Sequence, residues 1–179
     1  WVSDIASVIN NQHNPIFVDI NLSNLSFDID KLKKAITPHT KAIFLTHVLG
    51  LNGITDELLS LCAEKNILLI EDVCESHGAT YRDMKAGTIG QISNFSFYFA
   101  HHMSTIEGGM VCTNNKKIYE NVRMLRAHGM LREMNNKSLE KKIKKKYNYL
   151  SPQFIFMHPG YNMRSNEISA VIGLSQLKR

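Results

Sequence analysis

Asp72 follows the apolar run Ile67-Leu68-Leu69-Ile70-Glu71, which reads as a strand buried on both faces. In an open α/β sheet, ligands collect at the carboxyl ends of strands. A carboxylate emerging there is placed to meet one, although the same position also suits a helix cap or a turn. Ser96 and the pair His101-His102 belong to a later strand and the loop after it, so Asp72, Ser96 and His101 are expected to converge at one rim. An imidazole at that rim can accept or return a proton near neutral pH. A metal site is not expected, because adjacent residues such as His101 and His102 point in opposite directions on extended chain and do not share an ion.

The elements that must position these residues alternate along the chain. Strands are expected at Ile16–Ile20, Ala42–Thr46, Ile67–Glu71, Asn94–Tyr98 and Gly109–Thr113. Helices are expected at Asp28–Ile36, capped by Asp28 and stopped before Pro38, at Asp56–Lys65, and at Lys116–His128 with Gly129 as the stop. A final helical pattern covers Ile168–Leu177 and is expected to be capped by Ser165. The stretch from 130 to 159 reads as a basic, irregular connection, and Pro159–Asn162 as a turn. This βαβα order predicts an α/β fold with a mostly parallel sheet and helices outside.

The chain has 179 residues, 44% of them hydrophobic, enough to bury a core, and carries a net charge of +5. Much of that charge lies in Lys137–Lys146. No aromatic residues interleave with these lysines, so the run reads as a solvated loop or helix face and a nucleic-acid partner is not expected. No apolar run approaches the roughly 18 to 20 residues that span a bilayer. Cys62, Cys74 and Cys112 are scattered and lack CxxC spacing, the pattern of reduced thiols in the cytoplasm rather than of a disulfide frame. Trp1 opens the chain where an initiator methionine would stand, and the last helical pattern runs to the terminus without a stop signal. An internal piece of a longer protein is therefore expected.

Several ordered segments carry a resemblance: Glu71-Asp72-Val73-Cys74-Glu75-Ser76-His77-Gly78-Ala79, Gly87-Thr88-Ile89-Gly90, Phe95-Ser96-Phe97-Tyr98 and Glu107-Gly108-Gly109. In order and spacing they resemble the large domain of the DegT/DnrJ/EryC1/StrS family, pyridoxal phosphate (PLP) enzymes of fold type I that act on nucleotide-linked sugars. The likeness runs from Phe17-Val18-Asp19 to Gly160-Tyr161-Asn162-Met163-Arg164. It implies a three-layer αβα domain, with residues 1–179 forming an incomplete part of it.

The resemblance also assigns roles. Asp72 matches the aspartate that pairs with the cofactor's pyridine nitrogen, and Ser96 the serine on its phosphate. Glu75 stands where many of the aminotransferases place glutamine or histidine near the ring. Asn162 matches an asparagine that reaches the phosphate of the neighbouring subunit, which implies a homodimer. His101 stands where the aminotransferases carry the lysine that bonds the cofactor covalently. Imidazole cannot form that bond but can move a proton.

The histidine is itself a family pattern, that of the 3-dehydratase branch, in which the cofactor works as free pyridoxamine phosphate (PMP). The implied activity is removal of the 3-hydroxyl from a nucleotide-linked 4-keto-6-deoxy sugar, with glutamate as an amino donor. The alternatives are a sugar aminotransferase and a non-catalytic sugar-nucleotide binding homologue. Met130–Pro159 contains no cysteine, so the branch version that carries an iron-sulfur cluster is not expected.

Overall fold

Period-two alternation governs the strands β1 (Ala42–Thr46) and β2 (Leu68–Asp72), which pair in parallel with Leu45 beside Glu71 and Thr46 beside Asp72. Ile43, Leu45 and Leu69 point to one face, where α2 (Ile29–Ala35) supplies Leu32 and α3 (Asp56–Lys65) supplies Leu58, Leu61 and Cys62 to a shared core. Burying each such aliphatic side chain contributes roughly 1.5–3 kcal/mol. β5 (Ile92–Ser96) adds a third parallel strand beside β2, with Glu71 opposite Ser93 and Asp72 opposite Asn94. The computed structural model describes residues 1–178 and divides the chain into two compact units, Trp1–Ser96 and Phe97–Arg179. The first is the α/β unit with the parallel sheet that the alternation of strands and helices predicts.

Local signals set the helix ends. Asp28 accepts from the N–H groups of Asp30 and Lys31, and Thr55 accepts from Leu58 N–H. Asn66 closes α3 in the left-handed conformation. A further helix, α1 (Val2–Asn10), precedes the sheet and was not expected from the sequence. Between β2 and β5 a small hairpin forms from β3 (Thr80–Tyr81) and β4 (Met84–Lys85). Gly87, at φ +88°, follows it, and a Cβ there would lie 2.5 Å from Phe95 Cζ and 3.1 Å from Val73 Cγ2. Gly87→Ala is expected to lower stability by about 1–3 kcal/mol, through the left-handed backbone and the overpacking together. The urea midpoint of the complete protein checks this.

Several expected elements differ. Ile16–Ile20 is not a strand: only Ile20 pairs, in an isolated bridge to Phe27, and Ile16 and Phe17 are exposed. Apolar β-formers make a strand only where a neighbouring backbone completes the ladder. β5 begins and ends two residues before the expected Asn94–Tyr98, because Phe97 leaves the strand to bond Thr105 and Gly108.

In the second unit, β6 (Gly109–Cys112) precedes α4 (Lys116–Leu125), which stops three residues short of His128. The carbonyls of Leu125 and Arg126 accept from Tyr161 and Met163 instead of from a further helical turn. The lysine run, expected as a solvated loop or helix face within the 130–159 connection, is the helix: it forms α5 (Lys137–Lys146), in which no residue is buried. Asn136 caps that helix by accepting from Leu139 N–H, and Glu140 pairs with Lys144 one turn on. The last helix, α6 (Glu167–Gln176), is capped by Asn166 rather than Ser165. Among the described residues, no helix is long and apolar enough to cross a membrane.

Candidate active site

Strand alternation separates the two adjacent carboxylates at the end of β2. Glu71 turns to the core face with Leu45 and Leu69, and Asp72 turns to the opposite face with Thr46 and Asn94. Glu71 is fully buried and accepts from the N–H groups of Gly87 at 2.8 Å, Ile89 at 2.9 Å and Gly90. His47, also fully buried, reaches it through Nε2 at 3.1 Å. Gly53 N–H donates to His47 Nδ1, so the proton sits on Nε2 and is donated to Glu71. Burial alone would raise the Glu71 carboxyl, but the bonds from His47 and the backbone of Gly90, Gly87 and Ile89 outweigh it and hold the group below the ordinary glutamate range. Glu71 thus fixes the 87–90 turn against the strand that carries Asp72.

Asp72 is 5% exposed, and its Oδ1 accepts from Cys74 N–H at 2.9 Å and Asn94 Nδ2 at 3.0 Å. Thr46 Oγ1, on the same face of the neighbouring strand, donates to Asp4 Oδ2 at 3.2 Å. Thr46 is the register partner of Asp72, so this bond sets Asp4 beside it; burial first, and then the Asp72 carboxylate, raise the Asp4 carboxyl. Two acids with one shared neighbourhood make this face a receptor for a cation or a proton.

Cys74 Sγ accepts from Asn94 at 3.3 Å, and burial together with Asp72 pushes its thiol up to about 12. Burial likewise raises Cys62 and Cys112. None of the three is a thiolate nucleophile at neutral pH. Glu75 Oε2 accepts from Leu49 N–H at 3.3 Å, and Ser76 Oγ donates to His47 O and accepts from Gly50 N–H. Both residues tie the 47–51 turn to the chain after Asp72. Ser96 closes β5 two residues beyond Asn94, so alternation returns it to the face of Asp72. Asp72, Glu75 and Ser96 therefore all lie at the carboxyl end of the parallel sheet in the first unit.

His101 and Asn162 belong to the second unit. His101 is half-buried in a loop closed at its base by Phe97, whose carbonyl accepts from Thr105 and whose N–H donates to Gly108 O, both at 2.9 Å. Its N–H donates to Tyr98 O, and its ring meets the Tyr98 ring edge-on with centroids 5.9 Å apart. Gly108 is needed here by close approach: a Cβ would lie 2.5 Å from Thr105 Oγ1. Ile106, in the same loop, is held at φ +72°, a costly conformation for a β-branched residue. Asn162 is exposed, bridges to Ala127, and accepts from Arg164 Nε at 2.9 Å.

Asp4, Thr46, Asn94 and the His47–Glu71 pair are absent from the sequence-derived site. The register pairs Thr46 with Asp72 and Asp72 with Asn94, so alternation would have found Thr46 and Asn94 had the register been legible.

Residues 1–179 match the DegT/DnrJ/EryC1/StrS aminotransferase family. The chain belongs to this family. Among family members, GDP-4-keto-6-deoxy-D-mannose 3-dehydratase of Escherichia coli O55:H7 is 40% identical over 163 residues, 91% of this chain and 42% of that protein. GDP-perosamine synthase of Caulobacter vibrioides is 35% identical over 92% of this chain and 40% of its own length. A solved structure of the E. coli GDP-4-keto-6-deoxy-D-mannose-3-dehydratase with bound hydrated PLP superposes with a TM-score of 0.76 at 37% identity, covering 90% of this chain and 41% of that one. The fold is accordingly that of PLP-dependent fold type I, and the chain spans about 42% of the length of the first of these relatives.

Proposed function

We propose that the complete protein is a PMP/PLP-dependent 3-dehydratase of a nucleotide-linked 4-keto-6-deoxy sugar, serving deoxysugar and surface-polysaccharide biosynthesis. The observation that carries this reading is His101, an imidazole on a loop closed by Phe97 and Gly108, in a chain 40% identical to GDP-4-keto-6-deoxy-D-mannose 3-dehydratase.

The residues fit a pyridoxal-type cofactor. Asp72 and Asp4 set two acidic groups against a face where Asn94 and Cys74 supply donors to Asp72 Oδ1 only; a protonated ring nitrogen is a donor that such a pair accepts. Bound as PMP, the cofactor supplies an amine for the sugar carbonyl and a ring that takes up electrons.

Asp72 holds the ring nitrogen protonated, and Asn94 and the Cys74 backbone orient its carboxylate. Ser96 offers its hydroxyl to the cofactor phosphate. Glu75 steadies the 47–51 turn beside the ring. His101 moves the proton by which the 3-hydroxyl is lost. Asn162, exposed on its own chain, reaches the phosphate bound by the second subunit of a homodimer. The substrates are a nucleotide-diphosphate sugar and an amino donor such as glutamate. The place is the cytoplasm, where the free Cys62, Cys74 and Cys112 meet a reducing environment.

The test is an absorption spectrum of the complete protein with PLP, before and after glutamate, followed by borohydride treatment and intact mass. Conversion to a PMP-like spectrum without a covalent adduct supports the reading; an adduct on a lysine sinks it. The second reading, a sugar aminotransferase, is supported by the 35% identity to GDP-perosamine synthase. A 4-keto sugar assay separates the two, since one product has lost oxygen and the other has gained nitrogen. Asp72→Asn is expected to weaken PMP binding at least about tenfold, because the amide no longer offers the ring nitrogen a negative charge. Equilibrium dialysis of the complete protein measures it.

A further inference from the structure

Asp4 lies in the first turn of α1, a helix in which no residue is buried, yet its own side chain is only 15% exposed. An acid at the third position of a helix is explained in part by its own helix, whose first-turn N–H groups favour a negative charge. That effect does not explain why the carboxyl also accepts from Thr46 Oγ1 at 3.2 Å, across to the sheet. Thr46 is the register partner of Asp72. The bond from Thr46 therefore delivers the second carboxyl to the one carboxylate of this face that the proposed function assigns to the cofactor ring. The groups of the sheet that face Asp4 are Asp72 at the end of β2, Cys74 just beyond it, and Thr46 from β1.

We propose, resting on the reading above, that Asp4 is a positioning residue that sets a second carboxylate beside Asp72, so that two negative groups face the pyridine N–H of the bound cofactor. Two negative groups then hold that N–H, so the ring keeps its proton to a higher pH than Asp72 alone would maintain.

The test is a pH titration of ring-¹⁵N-labelled PMP bound to the complete protein, because the nitrogen shift reads the ring proton directly, whatever the turnover. Asp4→Asn, which keeps the shape and can still accept from Thr46, is expected to lower the midpoint of ring deprotonation by about one pH unit, a tenfold change in proton affinity. Thr46→Val, which frees Asp4 without removing its charge, is expected to lower it by less. Unchanged midpoints in both variants would overturn the role of Asp4, and if Asp4→Asn does not fold, Thr46→Val decides alone. Asp72→Asn is the control on the underlying reading: PMP bound there with the wild-type affinity and midpoint would overturn the cofactor assignment and the Asp4 proposal with it.

Discussion

His101→Asn in the complete protein is expected to lower sugar turnover by about 10²–10⁴-fold, the range of a positioned general acid–base group. Equilibrium binding of PMP should stay within about twofold. The asparagine can keep the backbone bond from residue 101 to Tyr98 O and retains a polar tip, but it cannot carry a proton near neutral pH. The loop should hold its shape, because its closure rests on backbone bonds between Phe97, Thr105 and Gly108 and not on the imidazole. Turnover and PMP affinity measured together separate the roles. A variant that turns over within tenfold of wild type would remove His101 from the mechanism, and a matching loss of affinity would make it a binding group.

Glu71→Ala is expected to cost about 3–5 kcal/mol, the penalty for removing one partner of a buried, fully engaged charge. Four donors lose their acceptor at once: His47 Nε2 and the N–H groups of Gly87, Ile89 and Gly90. The urea midpoint of the complete protein reads the loss, and a change below about 1 kcal/mol would show that water replaces the carboxylate. The wild type carries a linked pH signature. The folded-state carboxyl of Glu71 titrates below its unfolded value, so its contribution is complete above the unfolded glutamate range near about 4.3 and is lost as pH falls through the folded value. Stability should therefore drop on the acid side of that range, and the slope should be shallower in the variant.

The α/β pattern, the Asp28 cap, the strand Ala42–Thr46 and the helix Asp56–Lys65 were legible in the sequence, because each follows from local periodicity or a single capping side chain. The placement of Asp72 at a strand end was legible for the same reason, whereas Ser96, expected inside the strand Asn94–Tyr98, closes it because Phe97 leaves to bond Thr105 and Gly108. The Lys137–Lys146 helix carried its own signals, in Asn136 and the Glu140–Lys144 spacing, and composition masked them. Ile16–Ile20 failed in the other direction, with the residues of a strand and no ladder to complete it.

By itself the sequence determined the family, the histidine at position 101 and the alternation that puts Glu71 and Asp72 on opposite faces. Only the tertiary structure decided that His47 and three backbone N–H groups consume Glu71, that Asn94 and Cys74 hold Asp72, and that Thr46 brings Asp4 to it. These partners are joined by strand register and helix docking across up to 42 residues of chain. Register and docking are set by burying one apolar face against another, and no local pattern along the chain encodes where those faces meet.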